Sequence, residues 1–192
     1  MTLVRVAAPT VPPITLAEAK EQCRVDFSDD DALINRLIAA AVALVDGTGE
    51  LGRAMITQTW AEWLPTQSGR VRLRMGPVQS LVSVQYYDAN DTLQTATLAD
   101  FDVRPCGDFS TVGPVSGAAW PAATSRTDAL KITYVAGFGD GETDVPEGIR
   151  HALLMTVAHW YERREALSEV DLKEVPRAVG HLIGNERVGW YG

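Results

Sequence analysis

Two long helical patterns on either side of a β-rich stretch are the feature that most constrains how this chain can fold. The first begins at Ser28 and has an almost continuously apolar body over residues 32–45, and the second covers residues 146–167. Between them, residues 57–134 carry β-branched and aromatic residues bounded by turn formers, which is typical of short strands. Both helices have apolar faces wider than a single stripe, which indicates burial on more than one side. The sequence therefore predicts an α+β fold.

The N-terminal region predicts two helices. Thr15 and Glu18 have the spacing of a capping box, so a short helix is expected over residues 16–24. A second helix should begin at Ser28, because residues 29–31 are aspartates and the start of a helix favours carboxylates. With the helix over residues 146–167, these two should form a helical bundle into which a small, mainly antiparallel β region is inserted.

The middle region predicts short strands joined by turns. Asp88-Ala89-Asn90-Asp91 is typical of a hairpin turn, since Asn and Asp bond their own backbone. Residues 106–125 are rich in Gly, Pro and Ser and are expected to form a long loop, and the residues before Thr15 an extended lead-in. The expected strands lie at residues 58–64, 70–73, 80–87, 93–97, 102–104 and 129–134.

The C-terminal end carries a short helical pattern over residues 176–183, followed by two aromatic residues. Isolated helices of fewer than about 12 residues are marginal in water, so this segment needs a surface to dock on. We therefore expect one domain over residues 1–167 and a partner-docking tail over residues 168–192. The predicted contact residues of the tail are Pro176, Val179, Leu182, Ile183, Trp190 and Tyr191.

Composition excludes several classes of protein. The formal net charge is −8 and the pI is about 4.8, which argues against a protein that wraps nucleic acid. Cys23 and Cys106 are far apart and lack a C-x-x-C partner, so we expect neither a zinc site nor a disulfide framework. The sequence has no apolar run long enough to span a bilayer and no secretory leader pattern, so we expect a soluble, unprocessed protein.

No motif indicates catalysis, a cofactor or a metal. The three aspartates at residues 29–31 point in different directions on a helix and cannot converge on one ion. His151 and His159 are eight residues apart, which does not match the spacing of a zinc-binding helix. The sequence also lacks a nucleophile elbow and a phosphate-binding loop. We therefore predict that the protein is not an enzyme.

Two sets of residues are candidates for contact with partners. Arg70, Arg72 and Arg74 alternate along a predicted strand and so share one face, which is either an ordinary solvent face or a basic stripe facing an acidic neighbour or DNA. The broad apolar helix faces predict contact with neighbouring subunits, and the alternative for each face alone is burial in the chain's own core. The predicted subunit-interface residues are Leu33, Leu37, Leu44, Leu154, Ala158 and Trp160.

An ordered series of short segments resembles the phage head-tail connector (adaptor) family, which includes the adaptors of gene transfer agent particles. The segments begin with Thr15-Leu-Ala-Glu-Ala-Lys and Gly52-Arg-Ala-Met-Ile-Thr-Gln-Thr-Trp. They continue with Tyr134-Val-Ala-Gly-Phe-Gly and with Val145-Pro-Glu through His159-Trp-Tyr-Glu-Arg-Arg-Glu. The resemblance spans nearly the whole chain, and its central β region departs most from the family.

The resemblance implies a structural protein of the virion neck, in a particle assembled in the bacterial cytoplasm. Family members form a ring, usually of twelve subunits, under the portal protein, and the ring extends the DNA channel and joins head to tail. The implied partners are other copies of the chain, the portal protein, and a downstream stopper or tail-terminator protein. DNA would pass through the channel without sequence-specific binding, and no membrane is involved. The resemblance assigns the C-terminal tail to the portal.

Two alternatives stay open at the level of the sequence. A tail-completion or stopper protein belongs to the same structural class but would bind the tail tube. A small-ligand enzyme or binding domain belongs to another class, and it predicts a stable monomer with a polar pocket.

Overall fold

The computed structural model describes residues 2–49, 51–163 and 184. The chain divides into two compact units. The β unit comprises Met1–Pro9 and Thr57–Gly137, and the helical unit comprises Thr10–Ile56 and Phe138–Gly192. This division does not by itself decide whether residues 1–167 form a single domain, so that expectation stays a prediction.

Among its described residues, the helical unit contains α1 (Leu16–Cys23), α2 (Asp31–Val45) and α3 (Glu147–Glu162). The predicted capping box of α1 is confirmed, because the Thr15 hydroxyl accepts from the Glu18 N–H at 3.2 Å and the Glu18 carboxylate accepts from the Thr15 N–H at 2.7 Å. Arg24 ends α1 in a left-handed conformation, with φ of 57°.

The prediction that α2 begins at Ser28 is wrong by about one helical turn. Its carboxylates bond elsewhere in the unit instead of capping the helix: Asp30 accepts from the Tyr161 hydroxyl at 2.6 Å, and Asp31 pairs with Lys20 at 2.6 Å. Helix α3 begins after Pro146, as expected, and ends at Glu162. Residues 164–167 of the predicted helix lie outside the described residues.

One apolar core unites the helical unit. It takes one face from each helix and adds residues from the connecting segments, so the broad apolar faces are largely buried within the unit. Its members are Ile14, Ala19, Val25, Ile34, Leu37, Ile38, Ala41, Val45, Leu51, Met55, Ile56, Val145, Ile149, Ala152, Leu153, Val157 and Trp160.

The β unit contains two antiparallel sheets. The first has the order β1-β2-β8-β4-β5, and the second has the order β3-β7-β6. The strands are β1 (Thr2–Ala7), β2 (Gln58–Leu64), β3 (Val71–Leu73), β4 (Val78–Tyr87), β5 (Leu93–Thr95), β6 (Phe101–Cys106), β7 (Phe109–Pro114) and β8 (Leu130–Ala136).

Six predicted strands are present, and two strands were missed. The predicted lead-in contains β1, an edge strand whose partner β2 lies far along the chain. The predicted loop contains β7, which forms the centre of the second sheet although Gly113 and Pro114 end it. The hairpin turn is confirmed, because the Asp88 carboxylate accepts from the N–H groups of Asn90 and Thr92 at 2.9 and 3.0 Å, and β4 pairs with β5.

Among the described residues, no helix combines the length and the apolar character needed to cross a membrane.

Candidate functional site

A carboxyl group and a phenol form a buried hydrogen-bonded pair in the β unit. Glu62 of β2 and Tyr134 of β8 are 1% and 0% exposed. The Tyr134 hydroxyl donates to Glu62 Oε1, which also accepts from the Arg74 N–H at 2.7 Å. Tyr134 Oη in turn accepts from the Met75 N–H at 3.1 Å. Burial raises the pKa of Glu62, and burial together with the charge of Glu62 raises the pKa of Tyr134.

The chemistry of this pair is structural. Perturbed carboxylates are frequent at catalytic sites, but such a group must meet its substrate, and neither side chain has surface to do so. The pair instead joins the five-stranded sheet to Arg74 and Met75, which follow β3. It thereby holds the backbone beyond β3 against the first sheet.

The three arginines of the predicted basic stripe surround a short strand. Arg72 lies on β3 between the buried residues Val71 and Leu73, whereas Arg70 and Arg74 flank the strand. The Arg72 guanidinium lies over the Phe109 ring, 4.3 Å from its centroid. Arg72 therefore points to the outer face of the three-stranded sheet.

Arg70 is fixed by a group of polar contacts. Its guanidinium pairs with the Asp102 carboxylate at 2.5 Å and donates to the backbone oxygens of Asp102 and Thr111, both at 3.0 Å. The side chain also crosses Gly113, where an added Cβ would lie 2.8 Å from Arg70 Cγ. Hydrogen bonding from Arg70, helped by Arg104, holds the pKa of Asp102 below its usual value despite some loss of solvent. Arg70 thus contacts both β6 and β7, in addition to carrying a positive charge.

Sequence reasoning missed a fourth arginine on this face. Thr111 of β7 pairs with Arg72 on one side and with Arg104 of β6 on the other, and directly paired residues share a face. Arg104 is 58% exposed in its side chain and contacts Asp102 at 2.9 Å. Arg104 and Arg72 lie on different strands, and both strands pair with β7. Because β7 was not predicted, the sequence did not show that the two arginines share a face. We call Arg70, Arg72, Arg104, Asp102 and Phe109 the basic face.

The structure divides the six residues predicted for a subunit interface. Leu37 and Trp160 are 7% and 2% exposed and belong to the core of their own unit. They have almost no surface left for a neighbour, so the interface prediction is corrected for these two residues. The other four are half-buried, and their role at an interface stays a prediction: Leu33, Leu44, Leu154 and Ala158.

Charge is distributed unevenly between the two units. Residues 1–9 and 57–137 contain seven basic and seven acidic residues, so the β unit is balanced. The rest of the chain contains ten basic and eighteen acidic residues and accounts for the whole net charge of −8. The segment between α1 and α2 adds an exposed aromatic residue to this acidic unit, since Phe27 is 48% exposed and lies between the exposed Asp26 and Asp29.

The remaining predictions concern metals and the tail. In the part of the chain that the structure describes, no group of three or more His, Cys, Asp or Glu side chains is arranged to hold a metal ion. The predicted tail contacts Pro176, Val179, Leu182, Ile183, Trp190 and Tyr191 all lie outside the described residues.

Comparison with known proteins gives a family and a fold. A family model described as head completion protein matches residues 14–170. A chain in the neck of an empty gene transfer agent particle, computed with C6 symmetry, has a TM-score of 0.77 and 22% identity, covering 98% of this chain and 96% of that one.

Two further structures agree with this result. A chain in the virion of a native gene transfer agent particle has a TM-score of 0.78 and 21% identity. A chain in the neck of a native particle, computed with C12 symmetry, has a TM-score of 0.70 and 20% identity. Each alignment again covers 98% of this chain and 96% of the other. A search of curated protein sequences gives no match.

Proposed function

Because the chain belongs to the head completion protein family, we propose that it is a ring-forming adaptor in the neck of a tailed phage or of a gene transfer agent particle. The family match over residues 14–170 is the observation that carries the proposal. The likeness in fold to chains from particle necks supports it, since it extends over 98% of this chain. The role is structural and needs no catalytic group.

The proposal has three finer parts. The chain forms a ring, of twelve copies by its resemblance to adaptors, which agrees with the C12 symmetry of one similar neck. The ring lies under the portal protein, extends the DNA channel without sequence-specific binding, and receives a downstream stopper or tail-terminator protein. The C-terminal tail, including Val179 and Leu182, binds the portal.

Particles produced without this chain test the role in the neck. We expect heads that are filled but carry no tails, because the piece joining head to tail is missing. Electron microscopy of purified particles would show this, and restoring the chain should restore tails. Filled heads that still carry tails in its absence would refute the proposal.

A double substitution tests the assignment of the tail. Val179→Asp with Leu182→Asp removes two apolar contact residues, so the chain should stay folded but no longer co-purify with heads. A matched control is Glu169→Gln with Glu174→Gln, which alters the same region without affecting its apolar residues. Crosslinking of the tail to a tail-tube protein in place of the portal would assign the chain as a tail-completion or stopper protein.

A further inference from the structure

The basic face is a prearranged cationic surface. Arg70 is held by Asp102 and Thr111, and Arg72 is stacked on Phe109, so neither guanidinium is free to move as a long surface side chain normally is. Binding to such a surface costs less side-chain ordering than binding to mobile lysines. Arg104 adds an exposed guanidinium on the same face. Three arginines against one aspartate leave the face net positive.

The composition of the face favours a protein partner. Arginine and aromatic residues are enriched at the energetically important centres of protein interfaces. The face presents the Phe109 ring against the Arg72 guanidinium, and the Asp102 carboxylate pairs with both Arg70 and Arg104. A partner with carboxylates and an exposed aromatic side chain would match these groups.

The chain itself carries such a partner surface. The helical unit holds the whole net negative charge, and the segment joining α1 to α2 exposes Phe27 between Asp26 and Asp29. A closed ring is built by joining one surface of each copy to a different surface of the next. A basic face on one unit and an acidic surface on the other provide two such complementary surfaces on every copy.

We propose that the basic face binds the acidic helical unit of a second copy of this chain, with Phe27 and Asp29 directed at Arg104, Arg72 and Phe109. This inference rests on the proposed ring function, and it identifies the two surfaces that are in contact between neighbouring copies. Electrostatic complementarity of this kind sets the register and direction of association. The contact is therefore weakened by salt and by charge reversal on either side.

Charge reversal with rescue is the main test. Arg104→Glu places like charges opposite each other and should lower the amount of chain recovered in purified particles about tenfold, the effect of a single interfacial charge contact. Adding Asp29→Arg to the same chain should restore recovery. The residues at positions 104 and 29 then carry opposite charges again, each with its sign reversed. Lys131→Glu is the control, since it makes the same charge change on the five-stranded sheet and should leave recovery unchanged.

A crosslink supplies a second measurement that does not depend on the stability of the variant. Cys106 is exposed and pairs with Phe109 on the basic face, so Ser28→Cys should form a disulfide with Cys106 of the next copy under mild oxidation. The expected product is a ladder of dimers and higher species in purified particles. Adding Cys106→Ser should abolish the ladder.

The outcomes distinguish failure of the proposed contact from failure of the proposed function. Wild-type chain present in particle necks, with no effect of Arg104→Glu and no ladder, overturns the proposed contact and leaves the proposed function standing. Wild-type chain missing from particle necks overturns the function, and the contact with it. If Arg104→Glu instead weakens binding of a short DNA duplex and Asp29→Arg gives no rescue, the face binds DNA and the proposed contact is wrong.

Discussion

The helical unit and the β unit differ in what surrounds their titrating carboxyl groups. The helical unit buries the Asp46 carboxyl, which accepts from the Met55 N–H at 2.9 Å, and it leaves Glu18 partly exposed beside Arg150. The β unit has a balanced overall charge but buries a carboxyl group, Glu62, beside Tyr134. The helical unit therefore keeps Glu18 partly in water next to an arginine, whereas the β unit encloses Glu62 next to a phenol.

The difference should appear as opposite responses to acid. Burial raises the pKa of Glu62, so its protonated form is favoured in the folded state. Burial would likewise raise the pKa of Glu18, but hydrogen bonds from Thr15 and the charge of Arg150 lower it overall. A raised carboxyl pKa favours the folded state as pH falls, and a lowered one disfavours it.

The largest expected effect is on the apolar core of the helical unit. Leu153 is 0% exposed, so Leu153→Ala leaves a cavity and should reduce the free energy of unfolding by about 3 kcal/mol, within the usual range for such truncations. Its neighbour Leu154 is only half-buried, so Leu154→Ala should reduce the free energy of unfolding clearly less than Leu153→Ala does. Denaturant unfolding of the two variants measures the difference.

The same pair tests the interface prediction. Leu154→Ala should reduce recovery of the chain in particles more than its small effect on unfolding accounts for, because Leu154 is predicted to contact a neighbour. Equal losses of stability in the two variants would contradict the core assigned to α3.

The second effect is on the polar network of the β unit. Glu62→Ala removes the acceptor of the buried Tyr134 hydroxyl and of the part-buried Arg74 N–H. Leaving both donors without this acceptor should reduce the free energy of unfolding by about 2 to 4 kcal/mol. Glu62→Gln keeps an oxygen that can accept from both donors, so it should reduce the free energy of unfolding less than Glu62→Ala does. Denaturant unfolding at neutral pH measures both variants.

The glutamine variant also isolates the titration of Glu62. Because the folded-state pKa lies above the ordinary value of 4.5, the stability of the wild type relative to Glu62→Gln should be highest at low pH. That advantage should shrink as pH rises through the folded-state pKa. A difference between the two proteins that does not change with pH would show that Glu62 keeps an ordinary pKa.

The elements that could be predicted from the sequence are those set by local chemistry. The capping box of α1 and the Asp88 turn depend on side chains bonding to backbone a few residues away. Strand β2 was predicted with its observed bounds because β-branched and aromatic residues mark it out. In each case the information lies within a few consecutive residues.

The features that the sequence did not reveal depend on distant partners. Strand β1 is stabilised by β2, more than fifty residues away, and β7 is a central strand only because β3 and β6 flank it. The same applies to the candidate surfaces: Arg104 joins Arg72 through Thr111, and Trp160 belongs to the core of its own unit. Alternation places Glu62 on the same face of β2 as Trp60 and Leu64, but only the pairing with β8 supplies its partner Tyr134.

The smallest expected effect is on the surface ion pair of the helical unit, between Glu18 and Arg150. Glu18→Gln weakens the capping box and the contact with Arg150, and because the carboxylate is 31% exposed the cost should be only about 1 kcal/mol at neutral pH. The folded-state pKa of Glu18 is lowered, so its contribution is present above the ordinary value of 4.5 and is lost as pH falls through the folded-state value.

The response to acid should therefore be opposite in sign to that of Glu62. The stability of the wild type relative to Glu18→Gln should fall with falling pH, whereas its stability relative to Glu62→Gln should rise. Glu21→Gln, an exposed position on the same helix, is the control and should stay within about 0.5 kcal/mol of the wild type. If both differences move in the same direction with pH, folding does not shift the pKa values of Glu18 and Glu62 in opposite directions, because the sign depends only on whether folding raises or lowers each pKa.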